Sequence, residues 1–352
     1  MRILDRYLLR EFAWPLLYCF DAFVLMWIVQ DLLDNLSEFL QASVPVRRAI
    51  HYYLIVLPDA FVLILPMSLL LAVLFCLSSL GRHNELTAFR ASGISQFRLA
   101  LPLLGAGVLA SFIVFVVNEA YVPRAKERAD AFRKTLKGKG EQDVIENLFF
   151  ANATEHRYWY APRFNLRAKE LSNVEIHQQT PRDETYLDVF ADRAQWQDGA
   201  WRFYDARING GPLVAATNFP AFNESPRRLA AESKKPDQLT TTELHRLIRA
   251  FHRSGRTANL AEYRVTVHYR YAFPLTCLIV VWLGIQLGMR VSRRGGALLG
   301  VGVELLLVVA FYFLTHISLA LGKGERVPPA LAAWLTNAVF ASVGAVLLAR
   351  SR

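Results

Sequence analysis

The sequence lacks the short motifs that mark the common enzyme families. It has no G-x-x-x-x-G-K-[ST] loop, so it does not hydrolyse nucleotides by the P-loop route. It has neither an H-E-x-x-H nor a G-x-S-x-G segment, which excludes the zincin metal site and the nucleophile elbow of the α/β-hydrolases. We therefore predict that the chain is not an enzyme and holds no cofactor of its own.

Metal and disulfide chemistry find little support in the composition. The chain has only three cysteines, Cys19, Cys76 and Cys277, each within an apolar stretch and none in a C-x-x-C pair. Its eight histidines show no spacing typical of metal ligands. We expect the cysteines to be small buried hydrophobic residues, and we predict no metal site.

Charge is scarce over long stretches, and this predicts a membrane protein. Only 20% of the residues are charged, 53% are hydrophobic, and the mean hydropathy is +0.23. About 20 apolar residues in a helix cross the hydrocarbon core of a bilayer. Six runs predict such helices: 12–29, 54–80, 99–117, 267–287, 297–319 and 329–348. No small-residue cleavage site follows the first run promptly, so we interpret it as an uncleaved span.

The loop arginines predict how the chain is oriented. The two termini and every second loop between the spans are basic. Cytoplasmic segments of membrane proteins carry such an excess of arginine and lysine. These arginines are Arg2, Arg6, Arg10, Arg82, Arg90, Arg98, Arg290, Arg293, Arg294, Arg350 and Arg352. Both termini are thus expected in the cytoplasm, and the net charge of +10 does not indicate nucleic-acid binding.

Residues 120–266 separate two membrane halves, 1–119 and 267–352, and differ from both in composition. Their apolar residues alternate in short runs, which is typical of strands. Asp198-Gly199, between two aromatic segments, predicts a tight hairpin. A helix is predicted near 237–254, opened by a Thr240–Glu243 capping box. The fold class expected is an α-helical membrane protein, three spans plus three, around an external β-domain of sandwich or jelly-roll type. Its tryptophans either pack its core or line a lipid groove.

The segment 82–97 carries charge between two apolar spans and predicts a short amphipathic helix. Leu86 and Phe89 share one face, Glu85 is an acid among basic neighbours, and Gly93 is a helix stop. An exposed apolar face of this kind suits a groove on a soluble partner. The alternative is a solvated loop helix. The candidate docking residues are Arg82, Glu85, Leu86, Phe89, Arg90 and Gly93.

Polar residues inside the predicted spans form a second candidate set. Asp21 in the first span, and Glu304 and His316 in the fifth, are functional candidates because ionisable groups are costly in a membrane. Asp21 and Glu304 are equally open to a structural role, and for His316 packing in the core is favoured over a proton relay. Trp27 and Asp31, at the outer end of the first span, complete the candidate set for a substrate cavity.

The chain resembles the LptF/LptG permeases, the membrane subunits of the lipopolysaccharide-export ABC transporter. The resemblance covers nearly the whole chain. It rests on Leu4-Asp-Arg-Tyr7, on Asn84-Glu-Leu-Thr-Ala-Phe-Arg-Ala-Ser-Gly93 and on the three-plus-three layout around a β-domain. It implies a bacterial inner-membrane protein with a periplasmic β-jelly roll, which pairs with a second permease, of the other kind or its own, and binds a cytoplasmic ATPase.

The resemblance also implies a mechanism. Residues 82–97 match the coupling helix that enters a groove on the ATPase, with Glu85 as its acid. The first, second and fifth spans would form a cavity that lipopolysaccharide enters sideways, and bridge proteins of the β-jelly-roll type would accept the lipid. Asp31 and Asp34 stand where family members often carry basic residues. The lipid phosphates would then be met by the paired subunit, through a bridging divalent ion, or by Arg47 and Arg48. A membrane scaffold that moves nothing, or a proton-driven transporter using Asp21 and Glu304, are the competing interpretations.

Overall fold

The computed structural model describes residues 3–136, 144–152, 155, 157–179, 185–219, 222–233, 235–253, 260–294 and 297–349. They form two compact units, one of residues 1–129 with 261–352 and one of residues 130–260. The helices are α1 (Ile3–Gln41), α2 (Val46–Arg82), α3 (Glu85–Ala91), α4 (Gln96–Ala120), α5 (Val122–Leu136), α6 (Pro226–Glu232), α7 (Thr241–Arg253), α8 (Ala261–Ala272), α9 (Leu275–Arg294), α10 (Ala297–Lys323) and α11 (Pro329–Ala349). The strands are β1 (Val144–Asn152), β2 (Arg157–Asn165), β3 (Glu170–Gln179), β4 (Thr185–Gln197), β5 (Ala200–Ile208) and β6 (Leu213–Asn218).

The helical unit contains the predicted membrane spans. Among the described residues, α1, α2, α4, α10 and α11 are each long and apolar enough to cross a bilayer, and α8 with α9 makes a sixth span if the bent pair is counted as one. The bend of 49° falls at Pro274, which ends a helix because it lacks a backbone N–H. The amide of Asn337 on α11 donates to the carbonyl oxygen of Ala272 at 2.6 Å, so the break is satisfied inside the unit.

Helix α2 forms the centre of this unit and α1 lies at its margin. In the most apolar window of α2, 78% of the residues are buried, against 6% in that of α1 and 22% in that of α10. Helix α9 packs closely on α2 because the Gly284-x-x-x-Gly288 pair has no side chains. A Cβ atom at Gly288 would lie 2.8 Å from Cδ1 of Leu77. The small-residue pattern therefore packs helices within this chain.

The second unit contains one antiparallel sheet in which β1 to β6 follow in sequence order. The inserted β-sheet domain is confirmed, and its unit also contains α6 and α7. Its strand order is a meander, and the described residues show no second sheet of the kind that a jelly roll has. In a flat sheet β2 and β5 would lie about 14 Å apart, three strand spacings. The rings of Trp159 on β2 and Trp201 on β5 are centred 5.7 Å apart, so the sheet is rolled around its aromatic core.

Local signals in this unit fold as predicted. Asp198 and Gly199 have φ values of 50° and 80° and join β4 to β5, which is the conformation of a type I′ hairpin turn. At the start of α7 the backbone N–H of Thr240 donates to Glu243 at 2.7 Å, and that of Glu243 donates to the Thr240 hydroxyl at 3.3 Å. This is the predicted capping box. The predicted last residue of this helix, Ser254, lies outside the described residues.

Candidate functional site

The predicted docking helix is present as α3, between α2 and α4. Its end is a Schellman motif, in which the N–H of Ile94 donates to Phe89 and that of Gly93 to Arg90, each at 3.0 Å. Gly93 has φ +79°, a left-handed conformation that glycine adopts without strain. The prediction of a helix stop at Gly93 is confirmed.

The exposed face of α3 differs from the predicted one. Leu86 is only 4% exposed and packs into the core of the helical unit, and Phe89 is half-buried against the same core. The prediction that Leu86 is exposed was wrong, because the apolar face of so short a helix is used to hold it against α2 and its neighbours. The exposed apolar group is Phe97, 68% exposed in the first turn of α4.

Phe97 follows α3 closely in the chain, in a segment whose other exposed residues are mainly polar. Arg82 is exposed at the end of α2, Thr87 is exposed on α3, and Arg90 is half-buried. An exposed aromatic residue together with arginines is a composition common in protein interfaces. The sequence did not identify Phe97 as the exposed aromatic residue of this segment, because a helical period shows which residues share a face but not which face is covered.

Two contacts fasten α3 and the start of α4 to the beginning of α1. The hydroxyl of Tyr7 donates to Oε2 of Glu85 at 2.6 Å. The guanidinium of Arg98 contacts Oδ1 of Asp5 at 2.7 Å, with both side chains largely covered. Glu85, predicted as a docking residue, is therefore half-buried and tied within its own chain.

The candidate cavity residues divide into two groups. Asp21 on α1 and His316 on α10 are exposed, and each belongs to an exposed apolar stripe of its helix. Trp27 is half-buried, its ring 6.5 Å from that of Tyr53 on α2 in an edge-to-face contact. Asp31 is half-buried one helical turn further along the same side. The side chain of Glu304 lies outside the described part of the chain.

Trp27 and Asp31 thus face α2 rather than the exposed stripe of α1. Asp31 therefore lies on a different side of α1 from the exposed Asp21. The resemblance places basic residues of other family members at this end of the first span, where this chain has Asp31. Cys76 and Cys277 are buried and Cys19 is half-buried, all three as free thiols. The described residues contain no group of three or more side chains that could hold a metal ion.

These features define a polytopic membrane protein of the permease type, with a β-sheet domain inserted between two groups of spans. The chain belongs to the family of lipopolysaccharide export system permeases LptF/LptG, whose model matches residues 6–350. It is 22% identical to the LptG permease protein of Escherichia coli K12 over 99% of this chain and 98% of that one. It is also 22% identical to the LptF permease protein of the same strain, over 98% and 94%. A protein of Aquifex aeolicus is 26% identical over 79% of each chain.

Proposed function

We propose that this chain is the transmembrane permease subunit of an ABC transporter, paired with a second permease of its family. It extracts lipopolysaccharide from the outer leaflet of the inner membrane and passes it to a periplasmic bridge of β-jelly-roll proteins. A separate cytoplasmic ATPase supplies the energy. The observation that carries the proposal is Asp21, an exposed carboxylate in the middle of the least covered span.

The exposed stripe of α1 needs a partner. Trp14, Tyr18, Asp21 and Leu25 follow one another at helical spacing, and all four are exposed. An aspartate at the centre of a membrane helix costs about 2.5–3.5 kcal/mol on insertion scales when it faces lipid. A second subunit, or a watery cavity shared with it, removes that cost.

Helix α10 has a similar surface. His316 lies among exposed Leu306, Val309 and Phe313 on one side of this helix. The two little-covered spans, α1 and α10, thus each combine an apolar stripe with one polar group, which suits a cavity for an amphipathic lipid between two permeases. Helix α2, expected to share in the cavity, is mostly buried in its own subunit.

The energy enters through the surface around α3. The sequence has no P-loop, which supports hydrolysis of ATP by another protein. Phe97 provides an exposed aromatic anchor there, and Arg82 and Thr87 lie exposed beside the same short helix.

The β-domain offers an edge for the bridge. Strand β6 is the last in the sheet order, and its residues are exposed except for a half-covered Thr217. A row of backbone groups on such an edge pairs readily with a strand of another chain. Leu213 and Val214 add exposed apolar contact area.

The proposal is tested by photo-crosslinking from two equally exposed positions. Leu25 on the α1 stripe and Phe112 on α4 are each 63% exposed. A crosslinker at Leu25 should capture lipopolysaccharide in the purified complex and release it when ATP is added, whereas capture at Phe112 should not respond to ATP. Capture that ignores ATP at both positions would support the alternative, a membrane scaffold that moves nothing.

The ATPase contact is tested by Phe97→Asp, with Val46→Asp as its control. Val46 is 76% exposed at the other end of the 37-residue helix α2, about 55 Å away along a straight helix. Phe97→Asp should abolish co-purification of the ATPase and Val46→Asp should leave it intact. Equal recovery of the ATPase with both variants would contradict the placement of the docking surface.

A further inference from the structure

Two polar contacts bracket the docking helix and both lead to the same helical turn of α1. Tyr7 reaches Glu85, the first residue of α3, and Asp5 reaches Arg98, three residues into α4. The contacts measure 2.6 Å and 2.7 Å, the short distances of charge-assisted bonds. The beginning of α1 therefore holds both ends of the docking segment.

The docking segment is also held as one body. Leu86 is buried, Phe89 and Ile94 pack against the same core, and the Schellman bonds join Ile94 back to Phe89. Leu8 and Phe12 on α1, at 1% and 3% exposure, belong to that core as well. A force applied to α3 consequently meets α1 through direct contacts.

Further along, α1 packs on α2 with one side only, through Phe20 and Trp27, and most of its apolar window is not fully buried. The helix is gripped at its first turns and carries the exposed stripe with Asp21 further along. A helix passes a displacement of its gripped end along its length, and it bends sharply only at a proline or a comparable defect. Pro15 lies just beyond the gripped turns, so a displacement of those turns reaches the stripe as a change of tilt at Pro15.

We propose that Tyr7 and Asp5 are positioning residues, which orient the Glu85 carboxylate and hold Arg98 so that each movement of the docking helix is passed to α1. This inference rests on the proposed function. It assigns the coupling to two side chains of α1 that lie outside both the docking helix and the exposed stripe. It also explains why Glu85 is half-buried: its carboxylate is shared with Tyr7 rather than presented wholly to a partner.

The first experiment measures lipid released per ATP hydrolysed by the reconstituted complex. The double variant Tyr7→Phe with Asp5→Asn removes one hydroxyl and replaces one carboxylate oxygen with an amide nitrogen, so both side chains keep nearly the same size. It should lower the lipid-to-ATP ratio at least about tenfold, because tenfold already corresponds to losing one of the two hydrogen bonds to a charged group. Co-purification of the ATPase should stay within about twofold of the wild type. This corresponds to a change in binding free energy of only about 0.4 kcal/mol.

Matched controls come from exposed positions outside the docking surface and the α1 stripe. Tyr121 at the end of α4 and Asp192 on β4 are both exposed, so Tyr121→Phe with Asp192→Asn makes the same chemical changes elsewhere and should leave the ratio unchanged. The charge exchange Asp5→Arg with Arg98→Asp should restore a large part of the ratio lost in Asp5→Asn. A purely structural role would lower the yield of folded protein and leave the ratio alone.

The second experiment follows the movement itself. Spin labels at Arg6→Cys and Ala91→Cys, both exposed positions, report the separation of α1 and α3 in the complex. In the wild type the separation should be the same with and without ATP, because the two helices move together. In Tyr7→Phe with Asp5→Asn, ATP should shift or broaden the distance distribution.

The outcomes separate the two proposals. A wild-type complex that releases no lipid in response to ATP would overturn the proposed function. A wild-type complex that does release lipid, with a lipid-to-ATP ratio unchanged in the double variant, would overturn only the positioning role. Wild-type labels that move apart on ATP binding would overturn it as well.

Discussion

The buried ion pair of the β-domain makes a sharp prediction about stability. Arg157 and Glu224 are 1% and 0% exposed, and Nη1 of Arg157 donates to Oε1 of Glu224 at 2.8 Å. The side-chain amide of Asn152 donates to the same oxygen at 2.9 Å. The indole N–H of Trp201 donates to the backbone oxygen of Glu224 at 2.6 Å. The segment around Glu224 is thereby pinned to the sheet.

Removal of one charge leaves the other buried. In Glu224→Leu the guanidinium of Arg157 retains Gln178 at 3.4 Å and Glu155 at 3.9 Å, both long contacts. Loss of one partner of a buried pair costs about 3–5 kcal/mol. The double variant Arg157→Leu with Glu224→Leu removes both charges, and the remaining cost of about 1–3 kcal/mol comes from the acceptor that Asn152 loses.

Hydrogen exchange of the β2 and β5 amides in the purified full-length chain measures these differences. A loss of about 3 kcal/mol speeds exchange through opening of the unit more than a hundredfold. Each single variant should show this acceleration, and the double variant should exchange more slowly than either. The control Arg202→Leu removes an exposed arginine from β5 and should change exchange little. Single variants that accelerate exchange less than tenfold, or a double variant faster than both, would refute this account of the pair.

Three further substitutions test packing and turns. Gly288→Leu should lower the thermal unfolding temperature in detergent, by the equivalent of about 1–3 kcal/mol for overpacking, whereas Gly302→Leu, with open space around its Cβ position, should not. Leu86→Ala should destabilise the helical unit by about 2–5 kcal/mol through the cavity it leaves, and Thr87→Ala by less than about 0.5 kcal/mol; equal melting shifts would mean that α3 is not packed. Gly199→Val should cost about 1–2 kcal/mol because its φ is positive, and unchanged exchange at the β4–β5 end would contradict the turn assignment.

Features decided within a few residues could be predicted from the sequence. The helix stop at Gly93, the Asp198-Gly199 hairpin and the capping box of Thr240 each depend on the backbone preferences of one or two residues. The spans could be predicted as well, because a helix of about 20 consecutive apolar residues is long enough to cross a bilayer and such runs can be counted in the sequence.

Features that depend on distant neighbours could not be predicted. Tyr7 and Glu85 are 78 positions apart, and nothing in either segment identifies the other as its partner. The burial of Leu86 on α3 and the exposure of Phe97 on α4 depend on which side of each helix is covered by its neighbours. The meander order of the sheet is equally hidden, because alternation predicts strands but not their pairing.

The contact between Glu119 and Arg270 bears on how the chain is synthesised. These residues, on α4 and α8, stand on either side of the inserted β-domain, and their side chains approach to 3.8 Å. The sheet between them pairs only sequential strands, so its contacts are local and fast to form. An insertion that folds early shortens the flexible loop that must close before the last spans can dock on α2. The order of strands in the β-domain thus favours assembly of the helical unit. A slow-folding insertion at the same place would delay the packing of the last three spans against the first three.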